Sequence, residues 1–176
     1  IGSLSGIAVL GDVIREYLPV NLILTFGFIN VGIMLLKIYF QKKFEEKLQN
    51  IGKLMADIEP YEKARVEKIR TRIVDALKDI PEVDYDKNRL EQELIYYIEK
   101  LDISEEKQRL TNHLKYFAKT MNDESEQGKK LGFIAQEMGR EINTTGSKSN
   151  QAEMQNIVVM MKDELEQIKE QVLNVL

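Results

Sequence analysis

The chain has 176 residues, with 25 Lys and Arg against 29 Asp and Glu, a net charge of −4, one His and no Cys. Disulfides, thiolate zinc sites and a cysteine nucleophile are therefore excluded, as is any site needing two imidazoles from one chain. A lack of Trp, only 3 Pro and 31% charged residues point to a helical protein, and the acidic balance excludes coating of nucleic acid by bulk charge while leaving room for a local basic patch.

Residues 1–40 read unlike the rest. Gly6-Ile-Ala-Val-Leu10 is the one strand-like stretch, and from Tyr17 to Leu36 there are 20 residues without a charge. Such a run matches a hydrocarbon core of about 30 Å. Lys37, Lys42, Lys43 and Lys47 follow it and only Arg15 precedes it closely, so a span would leave the C-terminal part in the cytoplasm. Pro19, Asn21, Asn30 and the lack of a clean flanking charge before the run weigh against a span. Basic residues after the run rather than before it weigh against a signal peptide. The expectation is a buried helix or sheet segment of a larger fold, with no membrane involved.

From residue 37 onward the pattern is helix after helix. Phe44, Leu48, Ile51, Met55 and Ile58 step by 4 and 3 along one face. Pro60 ends or kinks that helix. Val66, Ile69, Ile73, Ala76 and Ile80 resume the pattern. Residues 81–86 form a turn with Asp86 as N-cap. Leu90, Leu94, Tyr97 and Leu101 line a short helix. Ser104 caps the next, which carries Leu110, Leu114, Phe117 and Met121. A polar loop, 122–128, leads to Leu131, Ile134, Met138 and Ile142. Thr144–Asn150 breaks this helix, and Asn150 with Glu153 gives a capping-box start to the last one. Met154, Val158, Met161, Leu165, Ile168, Val172 and Val175 form its heptad seam. The fold class is mainly α: long antiparallel coiled helices plus shorter ones in 41–176, preceded by the apolar segment 1–40.

Chemistry is sparse. His113 is the one imidazole, a general base only with a positioned partner. Gly27-Phe-Ile-Asn-Val-Gly32 has the glycine spacing of a phosphate loop, but no lysine follows it. Glu137 and Glu141 are four apart on one helix face, where like charges repel unless a cation such as Arg140 or a divalent metal lies near. The stretch 128–148 carries Lys129, Lys130, Arg140 and Lys148 against those two glutamates, a local balance of +2. Asn143, Thr144 and Ser147 add hydrogen-bonding groups, and Gly139 in mid-helix signals close approach of a backbone or ligand. Phosphate is the ligand this composition suggests.

Arg89-Leu-Glu-Gln-Glu93, Leu101-Asp-Ile-Ser-Glu-Glu106, Arg109-Leu110, His113-Leu114, Gly128-Lys-Lys-Leu-Gly-Phe133 and Gln136-Glu-Met-Gly-Arg-Glu-Ile-Asn-Thr-Thr-Gly-Ser-Lys148 resemble the C-terminal part of the YicC-like family of bacterial stress-induced proteins. So does the closing helix from Glu153 to Gln171. The resemblance covers about residues 42–176. It implies endoribonuclease activity on RNA in the cytoplasm, a homo-oligomeric ring with a hexamer expected, and Mn²⁺ or Mg²⁺ as cofactor. Carried over by position, Arg109 and His113 touch RNA or the scissile phosphate. Glu137, Arg140 and Glu141 hold metal or phosphate, Lys148 binds phosphate, and Asp102 and Glu105 are further metal candidates. His113, Glu137 and Glu141 are the catalytic candidates. The α+β domain that opens family members is not recognisable in residues 1–40. The alternative is a helical scaffold, membrane-anchored or soluble, or an RNA-binding module without catalysis.

Overall fold

The computed structural model describes the backbone of residues 4–78, 86–122 and 127–175. Six helices account for nearly all of them: α1 (Leu4–Asp57), α2 (Glu59–Lys78), α3 (Lys87–Lys100), α4 (Ser104–Asn122), α5 (Gln127–Lys148) and α6 (Ala152–Val175). The chain divides into two compact units, Ile1–Lys43 and Phe44–Leu176.

In the first unit the backbone is helical from Leu4, so Gly6–Leu10 is helix rather than strand. The uncharged run is not buried. Side chains from Val20 to Tyr39 stand open, apart from a half-covered Gly32. Nothing among the described residues covers it.

The second unit is built on the seams that the sequence displays. Phe44, Leu48, Ile51, Met55 and Ile58 are all buried, as are Leu110, Phe117 and Met121 on α4. Leu131, Ile134, Met138 and Ile142 of α5 and Met154 through Val172 of α6 complete the core. Each such side chain contributes about 1.5–3 kcal/mol by leaving water. The Phe44 and Phe117 rings meet at 5.6 Å between centroids. Lys47 pairs with Glu164 at 3.0 Å, tying the end of α1 to α6.

Helix ends follow local chemistry. α1 stops at Asp57, and Pro60 falls in the first turn of α2, where its missing N–H has no helical partner to lose. Asp86 caps α3, accepting the Asn88 and Arg89 N–H groups at 2.9 and 3.5 Å. The turn expected over 81–85 lies outside the described residues, as does Ile80.

Three local expectations are corrected. Ser104 is the first residue of α4 rather than its cap; Asp102 accepts its N–H at 3.2 Å and its hydroxyl at 2.7 Å. Thr144–Lys148 does not break α5. The hydroxyls of Thr144 and Thr145 donate to carbonyls one turn back, at 3.0 and 2.8 Å, and the helix runs on to Lys148. The apolar row of α2 is only half covered, and the residue it buries is Arg65.

Candidate functional site

α4 and α5 run antiparallel, which two ion pairs fix level by level. At one end Lys148 Nζ lies 2.9 Å from Glu106 Oε1 and donates to the Asp102 carbonyl at 2.8 Å. About two turns along, Arg109 pairs with Glu105 on its own helix and reaches Glu141 Oε1 across the seam at 3.9 Å. One further turn on α4 carries His113, and one turn back on α5 carries Glu137. His113 is half-buried and has no hydrogen bond or ion pair among the described residues. Glu137 is held by Arg140 at 3.0 Å. The strip thus gathers Asp102, Glu105, Arg109, His113, Glu137, Glu141 and Lys148, from positions up to 46 apart in sequence.

Its electrostatics are uneven. Glu141 is 8% exposed and Glu106 4%. Glu106 Oε2 has no partner among the described residues, so Lys148 is its main compensation. The Asp102 carboxyl is held below its ordinary range, chiefly by the Ser104 hydroxyl, then by the Ser104 N–H and the Lys148 charge, against the opposing pull of burial. Arg109 is the most adjustable cation, sharing itself between two carboxylates at half exposure.

Other expected residues lie elsewhere. Arg140, Asn143 and Ser147 fall on the solvent-facing side of α5, all exposed, with the Ser147 hydroxyl donating to its own helix at the Thr144 carbonyl. Lys129 and Lys130 lie beyond the Glu137 end of the strip, about two turns further along α5, and Lys130 Nζ lies 5.1 Å over the Tyr116 ring. The glycines serve packing, not a phosphate cradle: Gly132, Gly139 and Gly146 face Val172, Leu165 and Val158 of α6.

Among the described residues no three His, Asp or Glu side chains group as a metal site. Asp102 is occupied at the start of α4 and Glu105 by Arg109. Glu137 and Glu141 remain a pair one turn apart on α5. Hydrated Mg²⁺ or Mn²⁺ takes one or two carboxylates with water and substrate phosphate; at this pair it would have to displace Arg140 from Glu137 and Arg109 from Glu141.

Sequence reading missed Arg65, the residue that organises this end of the unit. It is 5% exposed, and its guanidinium donates to the Leu101 carbonyl at 2.7 Å and the Lys148 carbonyl at 3.1 Å, satisfying the ends of α3 and α5 together. With Lys68 and Arg72 it forms a cationic row at steps of 3 and 4, a signal present in the sequence. The row lines an open groove of about 440 Å³ beside Asn150, Gln151, Ala152 and Glu153 at the start of α6.

The family model described as endoribonuclease YicC-like, C-terminal, matches residues 58–176. The chain belongs to this family. A relative from Clostridioides difficile strain 630, named "Probable endoribonuclease YicC", is 39% identical over 122 residues, covering 68% of this chain and 41% of its own length. Its namesake from Haemophilus influenzae is 35% identical over 105 residues, covering 60% of this chain and 36% of its own. The chain therefore spans about two fifths of the curated relatives it matches. All of α2 to α6, and with them the whole α4–α5 strip and the Arg65 groove, fall within the matched YicC-like region.

Proposed function

We propose that the YicC-like unit binds RNA along the α4–α5 strip and takes part in cleaving its phosphodiester bonds. The carrying observation is the convergence of Arg109, His113 and Lys148 with Glu137 and Glu141 on one seam. Arg109 binds a phosphate by exchanging its loose 3.9 Å contact to Glu141 for a charge-assisted pair. His113, half-buried and unengaged among the described residues, is the proton acceptor. Arg140, Asn143 and Ser147 position the RNA backbone from the outer face of α5. A divalent ion held at Glu137 and Glu141 supplies charge stabilisation of the phosphate when bound.

The same proposal includes assembly of copies into a ring in the cytoplasm. Phe133 is 66% exposed and Leu173 73% exposed beside one open groove at the start of α5, apolar surface suited to contact between copies. Repetition of the +2 segment around a ring would focus positive potential on RNA while the outside stays acidic.

Fluorescence anisotropy of a labelled single-stranded RNA against salt tests the binding half. The intact chain should show affinity falling steeply with salt. Arg109→Ala should weaken binding and lower the logarithmic salt slope by about 0.7–0.9. An unchanged slope in Arg109→Ala, with the fold intact by circular dichroism, would remove Arg109 from the RNA contact.

A further inference from the structure

The function proposed for the second unit leaves the first unit unused, and its character is specific. Ile33, Met34, Leu35 and Leu36 are consecutive and all large, apolar and exposed. At 100° per residue, four in a row cover every side of a helix. Leu22, Ile23 and Leu24 do nearly the same one end earlier. A helix on the surface of a soluble fold keeps an apolar stripe and a polar back, whereas one apolar all round is enclosed by protein or lipid; from Val20 to Leu36 the described side chains leave no polar back. Its most apolar stretch lies on a helix long enough to cross a membrane, with none of that stretch buried.

Two polar residues inside the run, Thr25 and Asn30, bond back to the helix itself. The Thr25 hydroxyl donates to the Asn21 and Leu22 carbonyls, both at 2.9 Å. The Asn30 amide donates to the Phe26 carbonyl at 2.9 Å. These bonds answer the objection that Asn30 raises against hydrocarbon, because a donor satisfied within its own helix leaves less to desolvate. Gly27 and Gly32 have open space where a side chain would stand, so no packing against described residues explains them. Charge closes the pattern. Lys37, Lys42 and Lys43 follow the run, while Arg15 is the only basic residue in the sixteen before it, and tyrosines stand at both ends, Tyr17 and Tyr39.

We infer that Tyr17–Leu36 spans a lipid bilayer, with Lys37, Lys42 and Lys43 at its cytoplasmic face. Twenty residues at about 1.5 Å each match the roughly 30 Å hydrocarbon core. The occupant of the exposed surface is acyl chain rather than a second protein, because the length of the run, the lysines after it and the tyrosines at its ends fit a bilayer. The YicC-like unit is thereby held at the inner membrane surface. This inference rests on the first unit and stands apart from the RNA reading.

Flotation tests it. The intact chain, made in bacterial cells, is taken as a membrane fraction, washed in alkaline carbonate and spun upward through a sucrose gradient. It should float with lipid, keep its full mass, and be released by non-ionic detergent. The Ile29→Lys, Ile33→Lys double variant should leave the membrane fraction and stay soluble with helical circular dichroism retained. Aggregates sink in this gradient and so do not imitate the result. Recovery of the intact chain as a soluble oligomer without detergent, flotation of the lysine variant equal to that of the parent, or a product shortened past Leu36 would each overturn the inference.

Discussion

Gly146 of α5 lies against Val158 of α6 so closely that a Cβ on the glycine would stand 3.0 Å from Val158 Cγ1. The relationship repeats every seven residues. At Gly139 the nearest atom is Leu165 Cδ2 at 3.3 Å, and at Gly132 it is Val172 Cγ1 at 4.0 Å. Seven residues forward on α5 match seven back on α6, the register of an antiparallel coiled pair that tightens toward the Lys148 end.

Three alanine substitutions should therefore differ in sign. Gly132→Ala adds helix propensity of up to about 1 kcal/mol without a clash and should stabilise. Gly139→Ala meets a leucine tip that yields, and should come out near neutral. Gly146→Ala meets a β-branched side chain fixed at χ1 and buried, and should cost about 1–3 kcal/mol. Chemical denaturation of the three variants checks the order; equal effects would refute the graded packing.

Lys148 is placed for structure. Removing it strands the buried Glu106, whose second oxygen already has no partner among the described residues. Lys148→Met should cost about 3 kcal/mol, and Lys148→Met with Glu106→Leu should recover most of it. Urea unfolding of the single and double variants measures the coupling.

Arg65 satisfies two helix ends with one guanidinium. Arg65→Lys keeps the charge but cannot fork to both carbonyls. A loss of about 1–3 kcal/mol is expected, with Lys68→Ala as a nearly neutral control. Thermal unfolding of both checks this.

Acid should find Asp102. Its carboxyl is depressed by Ser104 and Lys148, so its contribution is complete above the ordinary carboxylate range, near pH 4, and is lost as pH falls through the lowered folded value. Ser104→Ala removes the largest cause and should lower stability at pH 7 while changing it little at low pH, so the acid-dependent loss shrinks. Unfolding curves at pH 7 and pH 3 for parent and variant measure the difference.

Much of the second unit was legible in the sequence because apolar seams need only the helical period. All five positions from Phe44 to Ile58 and six of α6 are buried as the spacing predicts. The contact of Arg109 with Glu141 across the seam was not legible from spacing, because it depends on the register between α4 and α5. Gly146 looked like a helix break, since glycine and three hydroxyl residues usually mark a loop; the hydroxyls instead bond back into α5. Arg65 was missed because it stands beside the apolar Val66, where the eye follows the seam. The surroundings of the first unit were not legible, because an uncharged run says nothing about what covers it.

One assay decides whether the α4–α5 strip cleaves RNA. The direct measurement is the rate of internal cutting of an end-labelled RNA by the intact chain, by His113→Gln and by Arg109→Ala, each with Mn²⁺ or with EDTA, and each checked for fold by circular dichroism. The account predicts internal cuts by the parent and a fall of about 10²-fold or more in His113→Gln, with a smaller fall in Arg109→Ala that excess RNA partly restores. Cutting at the parental rate by His113→Gln, or intact RNA with a folded parent, would contradict it.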